Sequence, residues 1–138
     1  MKKLLSLCAA GGLLFTSAVW AQTPSFPLTG HWMFVEDQTV IGFTACGDAV
    51  CARIRGLPTL LEPGEKPPAC DLEVLMGFKP NGARWVGEAL DPESNKRYRA
   101  RLQAGKQGGE LELVISALGG LVSESMVLAP AKDFKPCN

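Results

Sequence analysis

Residues 73–90, EVLMGFKPNGARWVGEAL, decide the fold class. Apolar and polar side chains alternate on both sides of Pro80-Asn81-Gly82-Ala83, a pattern of two strands joined by a turn. Asn-Gly is the pair favoured in a type I′ turn, where both central residues need positive φ. Folding the chain there is expected to set Phe78 opposite Trp85, Met76 opposite Gly87 and Val74 opposite Ala89, all on one apolar face. The other face takes Glu73, Lys79, Arg84 and Glu88 together with Leu75, Val86 and Leu90, a mixed surface suited to solvent. One register sorts both strands at once.

The alternation recurs along the chain, near 30–36, 39–46, 50–56, 71–79, 84–90, 96–103, 109–116 and 122–129. Glycine and proline punctuate these segments, and no stretch keeps a helical repeat over three turns. Short antiparallel strands joined mostly by hairpins predict an all-β fold, an antiparallel up-and-down β-barrel of about eight strands, which leaves no exposed edge. A two-sheet sandwich is the alternative. The longest connection, 57–70, carries Pro58, Pro63, Pro67 and Pro68.

Met1–Ala21 read as an export signal. Lys2 and Lys3 supply the positive start, residues 4–19 the apolar middle, and Val19-Trp20-Ala21 a small-residue cleavage site before Gln22. Gly11, Gly12, Thr16 and Ser17 interrupt the apolar run, which argues against a membrane anchor. Cleavage would leave a single domain, 22–138, with twelve basic and fourteen acidic side chains, no footprint for nucleic acid and no transmembrane segment. The expected localisation is periplasmic or secreted.

Cys8 would leave with the signal, and Cys46, Cys51, Cys70 and Cys137 would remain, an even set that fits disulfides in an oxidising compartment. In the hairpin spanning Thr39 to Gly56, Cys46 is expected opposite Cys51, with Ala45 opposite Ala52 and Phe43 opposite Ile54. Gly42 and Thr44 would then share the reverse face with Arg53 and Arg55. Cys70 and Cys137 pair by elimination, although four cysteines allow three pairings.

Gly30-His31-Trp32, the run Cys46-Gly47-Asp48-Ala49-Val50-Cys51, Gly77-Phe78-Lys79-Pro80-Asn81-Gly82, Trp85-Val86-Gly87 and Asp91-Pro92-Glu93-Ser94-Asn95-Lys96-Arg97-Tyr98 follow one another in order. This succession resembles the domain-of-unknown-function 2147 family of small exported bacterial proteins, over nearly all of the chain after residue 21. The resemblance implies a lipocalin-like barrel and no established activity. Three departures stand out: the loop Gly64–Ala69 is shortened, Asn95 replaces a turn glycine, and Met126 stands where the family commonly has Trp.

Candidate chemistry is sparse. His31, the single histidine, has no companion ligand or carboxylate motif. The Cys46 to Cys51 spacing is that of a structural hairpin bridge and not of a dithiol enzyme. Asp91, Glu93 and Asn95 alternate as in a calcium loop but lack its glycine and closing glutamate, so Asp91-Pro92 reads as a turn initiator. Ser123 and Ser125 have no nucleophile elbow. Arg99 and Arg101 are expected to face Glu88 and Glu112 in a cross-strand charge ladder, while Tyr98, Ala100 and Leu102 turn inward.

Trp32, Phe43, Phe78, Trp85 and Tyr98 could all face one interior, as a packed core or as a pocket. The expectation is therefore a non-catalytic protein without cofactor or metal that binds a small apolar or amphipathic ligand or an envelope component. The alternative is a structural or protein-interaction module of the envelope with a filled barrel.

Overall fold

Eight strands form and pair in chain order: β1 (Gly30–Phe34), β2 (Val40–Cys46), β3 (Ala49–Gly56), β4 (Glu73–Asn81), β5 (Arg84–Asp91), β6 (Lys96–Ala104), β7 (Leu111–Ala117) and β8 (Val122–Pro130). The computed structural model describes residues 11–13, 15 and 23–137. The expected export signal lies outside the described residues apart from 11–13 and 15. Strand β8 returns to β1 through Trp32–Pro130, Met33–Ala129 and Phe34–Leu128, so the antiparallel sheet closes into a barrel and no sandwich forms.

Alternation along each strand fills the interior. Ile41, Leu75, Phe78, Leu102, Leu113 and Leu128 are the largest fully buried side chains. The end formed by the β2–β3 and β4–β5 turns is plugged by the segment before β1, whose Leu28 is buried and whose Phe26 packs on the core. Two indoles fasten the plug: Trp85 Nε1 donates to the Phe26 carbonyl at 3.1 Å and Trp32 Nε1 to that of Thr29 at 2.9 Å.

Both hairpins pair two residues out of the register the sequence suggested, which moves each turn by one residue. Asn81 pairs with Arg84 and Pro80 with Trp85, so the turn is Gly82-Ala83, with Gly82 at φ 61°. Cys46 pairs with Ala49, Thr44 with Cys51 and Phe43 with Ala52, so the other turn is Gly47-Asp48, with Gly47 at φ 67°. Each turn places positive φ at a leading glycine, the requirement of a II′ turn. A slip of two residues leaves every side chain on its original face, so face sorting alone could not separate the registers. Phe43, Ile54, Phe78 and Ala89 are buried as expected.

A bulge in β4 does change faces. Between Lys79 and Met76 the register shifts by one, with Gly77 at φ 63°, and below it Leu75 pairs with Ala89 and Met76 with Glu88. A one-residue shift exchanges the two faces. Leu75, expected outside, is therefore buried, and Met76, expected inside, lies on the outer row with Glu88. A second irregularity leaves Val74 between the Ala52–Leu75 and Arg53–Glu73 pairs, and Val74 is buried as well. On β6, Glu88 does oppose Arg99, but Glu112 opposes Gln103, and Arg101 sits between Val86 and Val114. The expected ladder has one rung.

Gly87 makes room for the Phe78 ring. A Cβ there would lie 2.7 Å from Phe78 Cδ2 and 2.6 Å from the Met76 carbonyl oxygen. Gly87→Ala is expected to cost about 1–3 kcal/mol by overpacking, and Phe78→Ala about 3–5 kcal/mol by cavity formation. Urea unfolding checks both, and an unchanged midpoint for Gly87→Ala would contradict the contact.

Candidate functional site

The barrel end opposite the plug is open. It is built by the β1–β2 turn, the 57–72 connection and the β5–β6 turn, and it holds a cavity of ≈ 800 Å³. The deeper wall is apolar, with Ile54 from β3, Leu75 from β4, Leu113 and Ile115 from β7 and Met126 from β8. Ala89 of β5 contributes only a methyl group to the same wall, which leaves space where a larger side chain would fill it. Short side chains and the two β4 irregularities thus hollow one end, while Phe26, Leu28, Phe43, Phe78 and Trp85 occupy the other.

The mouth is polar and structured. Asp37 Oδ1 accepts the Thr39 N–H at 2.9 Å, and its carbonyl accepts the N–H groups of Thr59 and Leu60 at 3.1 and 3.2 Å. The Thr59 hydroxyl meets the Gln38 side-chain amide oxygen. The long connection is thereby stitched to the β1–β2 turn, and its residues Leu61 and Gly64–Ala69 bank the opening. Thr39, on the wall, is the one buried polar residue among the described residues. Across the mouth Asp91 Oδ1 accepts the Glu93 N–H at 3.0 Å and Oδ2 the Ser94 hydroxyl at 2.9 Å, with Asn95 left-handed at φ 58°. Asp91-Pro92 initiates a turn, as its sequence suggests.

Beside the mouth, β3 and β4 share few ladder pairs, and other contacts close the seam. Arg53 Nη2 meets Glu73 Oε2 at 3.0 Å, Arg55 Nη1 meets Asp71 Oδ1 at 2.7 Å, and the Cys137 N–H donates to the Arg55 carbonyl at 2.8 Å. Cys70 and Cys137 are paired here with Cα atoms 5.7 Å apart, and Cys46 and Cys51 are paired at the plugged end at 5.8 Å, both separations that suit a bridge. Cys46 and Cys51 are diagonal neighbours and not directly opposite. At that end Lys79 lies 3.1 Å from Asp48. Its hydrogen bond and charge hold the Asp48 carboxyl below the usual value. Any stabilisation from this pair is present above the ordinary carboxylate pKa and fades as pH falls through the lowered one, and its exposure to water keeps the effect small.

None of the five aromatics expected at a pocket lines the cavity. Phe43 and Phe78 belong to the core, Trp32 and Trp85 pack against it, and Tyr98 is half-buried opposite Ala89. His31 faces outward, its ring 5.0 Å from that of Phe134 in the C-terminal tail. Ser123 and Ser125 are exposed on β8. The aliphatic wall and the mouth went unrecognised in the sequence. One signal pointed there: Met126, where the resemblance noted in the sequence implies Trp, lines the cavity.

A closed eight-stranded antiparallel barrel, filled at one end and hollow at the other, is the class of protein these features define. The profile of a family described as "Uncharacterized protein conserved in bacteria (DUF2147)" matches residues 30–126. The chain belongs to that family. No significant match is found among curated proteins or solved structures.

The chain-entropy model gives the long Cys70–Cys137 loop about 4 kcal/mol and the short Cys46–Cys51 loop about 2 kcal/mol. Replacing Cys70 and Cys137 by serine is therefore expected to lower the unfolding free energy more than the same change at Cys46 and Cys51. Equal losses in denaturant titrations would contradict a dominant role for the tail bridge.

Proposed function

We propose that this is an exported, non-catalytic binding protein that holds a small apolar or amphipathic molecule, either free or derived from the envelope, in the cavity at the open end. The observation that carries this reading is the cavity itself. Its volume of ≈ 800 Å³ lies within the usual range of about 300–1,000 Å³ for small-molecule sites, and it joins an apolar floor to a polar mouth. Burial of apolar ligand surface supplies the driving force, on the order of 25 cal/mol per Å² before association costs. The stitched mouth reduces the ordering that binding requires.

Four paired cysteines support maturation in an oxidising compartment. Protein recovered from the periplasm or medium is expected to begin at Gln22 and to weigh four hydrogens less than its reduced form. Intact-mass spectrometry checks both, and retention of residues 1–21 or free thiols would contradict export by this route.

A surface role is the second reading, favoured by the tip between β7 and β8, where Leu118, Leu121 and Val122 are 75%, 89% and 53% exposed. The neutral dye N-phenyl-1-naphthylamine separates the two. Saturable one-to-one fluorescence enhancement is expected, weakened at least about tenfold in Met126→Trp, whose indole would occupy the cavity, with little change in thermal stability. Enhancement equal in wild type and Met126→Trp, or none in either, would favour the surface reading.

A further inference from the structure

Resting on the cavity reading above, we infer that the ligand is an amphipathic cation: an apolar body carrying an amine or quaternary ammonium head that stays at the mouth. The mouth has a one-sided charge. Of the ionisable residues lining the cavity, Glu36, Asp37, Glu65, Asp91 and Glu93 are acidic and Lys66 alone is basic. They come from three separate segments, the β1–β2 turn, the long connection and the end of β5 with the turn that follows it, which the barrel brings together around one opening.

The charge is also uncommitted. The ion pairs found among the described residues join Arg53 to Glu73, Arg55 to Asp71 and Lys79 to Asp48, and none uses an acid of the mouth. Arg53 and Arg55 are thus engaged at the β3–β4 seam, and Lys96 and Arg97, opposite Asp91 and Leu90 in the β5–β6 ladder, are absent from these ion pairs, so the acids are left at the rim of the opening. Asp37 and Asp91 also accept local hydrogen bonds that fix their orientation. The floor of Ile54, Leu75, Leu113, Ile115 and Met126 offers no charged partner, so an apolar segment enters and a charged group remains at the rim. A carboxylate, sulfate or phosphate head would meet repulsion there from several sides. Carboxylates flanking a low-dielectric opening also focus the field and favour cation entry.

The test is displacement of N-phenyl-1-naphthylamine by dodecyl compounds that differ only in their heads, each below its micelle-forming concentration. Dodecyltrimethylammonium is compared with uncharged dodecanol and with dodecyl sulfate at low and high ionic strength. The ammonium compound is expected to bind about tenfold more tightly than the sulfate at low salt, with the gap narrowing as salt screens the rim. In the triple variant Glu36→Gln, Glu65→Gln and Glu93→Gln, the gap should fall to roughly threefold or less while dodecanol affinity is unchanged. These three side chains are exposed, so the variant is expected to fold. Equal or tighter binding of the sulfate overturns the inference and leaves the cavity reading standing. An ammonium preference that survives in the triple variant overturns the role of the rim. Failure of dodecanol and the dye to bind at all overturns the cavity reading, and this inference with it.

Discussion

Closure of the sheet between β1 and β8 is the constraint on which everything else depends. Once eight strands close, the girth of the interior is set, and an eight-stranded barrel has room either for its own side chains or for one small ligand. This barrel is filled by side chains at one height and hollow at another. Phenylalanine and tryptophan side chains, backed by the Phe26 and Leu28 plug, occupy one end. At the other, Phe34 and aliphatic residues of moderate size line the wall and Ala89 contributes only a methyl group.

The irregularities in β4 serve this division. The bulge at Gly77 keeps Phe78 inside above it and turns Leu75 inside below it, so one strand supplies a large ring to the filled half and an aliphatic wall to the hollow half. Gly87 on the facing strand accepts the ring at a distance no other residue permits without displacement. Where the β3–β4 ladder thins, two ion pairs, the Cys137 backbone bond and the Cys70–Cys137 pair take over. The open end can therefore be wide without the barrel parting along that seam.

Strand number, class and most inward faces were legible in the sequence because a period of two is a direct consequence of the pleat. Register was not. Sorting Phe78, Trp85 and Ala89 onto one face is satisfied equally by registers two residues apart, and the Asn81-Gly82 pair was less decisive than a glycine leading the turn. The exchange of Leu75 and Met76 depends on a bulge that no local residue except Gly77 announces. The cavity was harder still, since Trp32, Phe43, Phe78 and Trp85, four of the five aromatics that suggested a pocket, belong to or pack on the core, and Tyr98 is half-buried outside the lining. Ile54, Leu113 and Ile115 look like ordinary core residues, and they line a hollow only because Ala89 and Met126 fail to fill it. The residues of the mouth become neighbours through closure of the barrel, not through spacing along the chain.

Under the proposed function, the open end takes up an apolar chain while the plugged end does not. Methyl NMR with a dodecylammonium carrying a nitroxide at its tail tests this directly, because paramagnetic broadening reports which methyls the tail approaches. Broadening is predicted for Ile54, Leu75, Leu113, Ile115 and Met126, with Leu28 and Val50 near the plugged end unaffected. Broadening confined to surface methyls such as those of Leu118 and Leu121, or strongest around Leu28, would contradict the account.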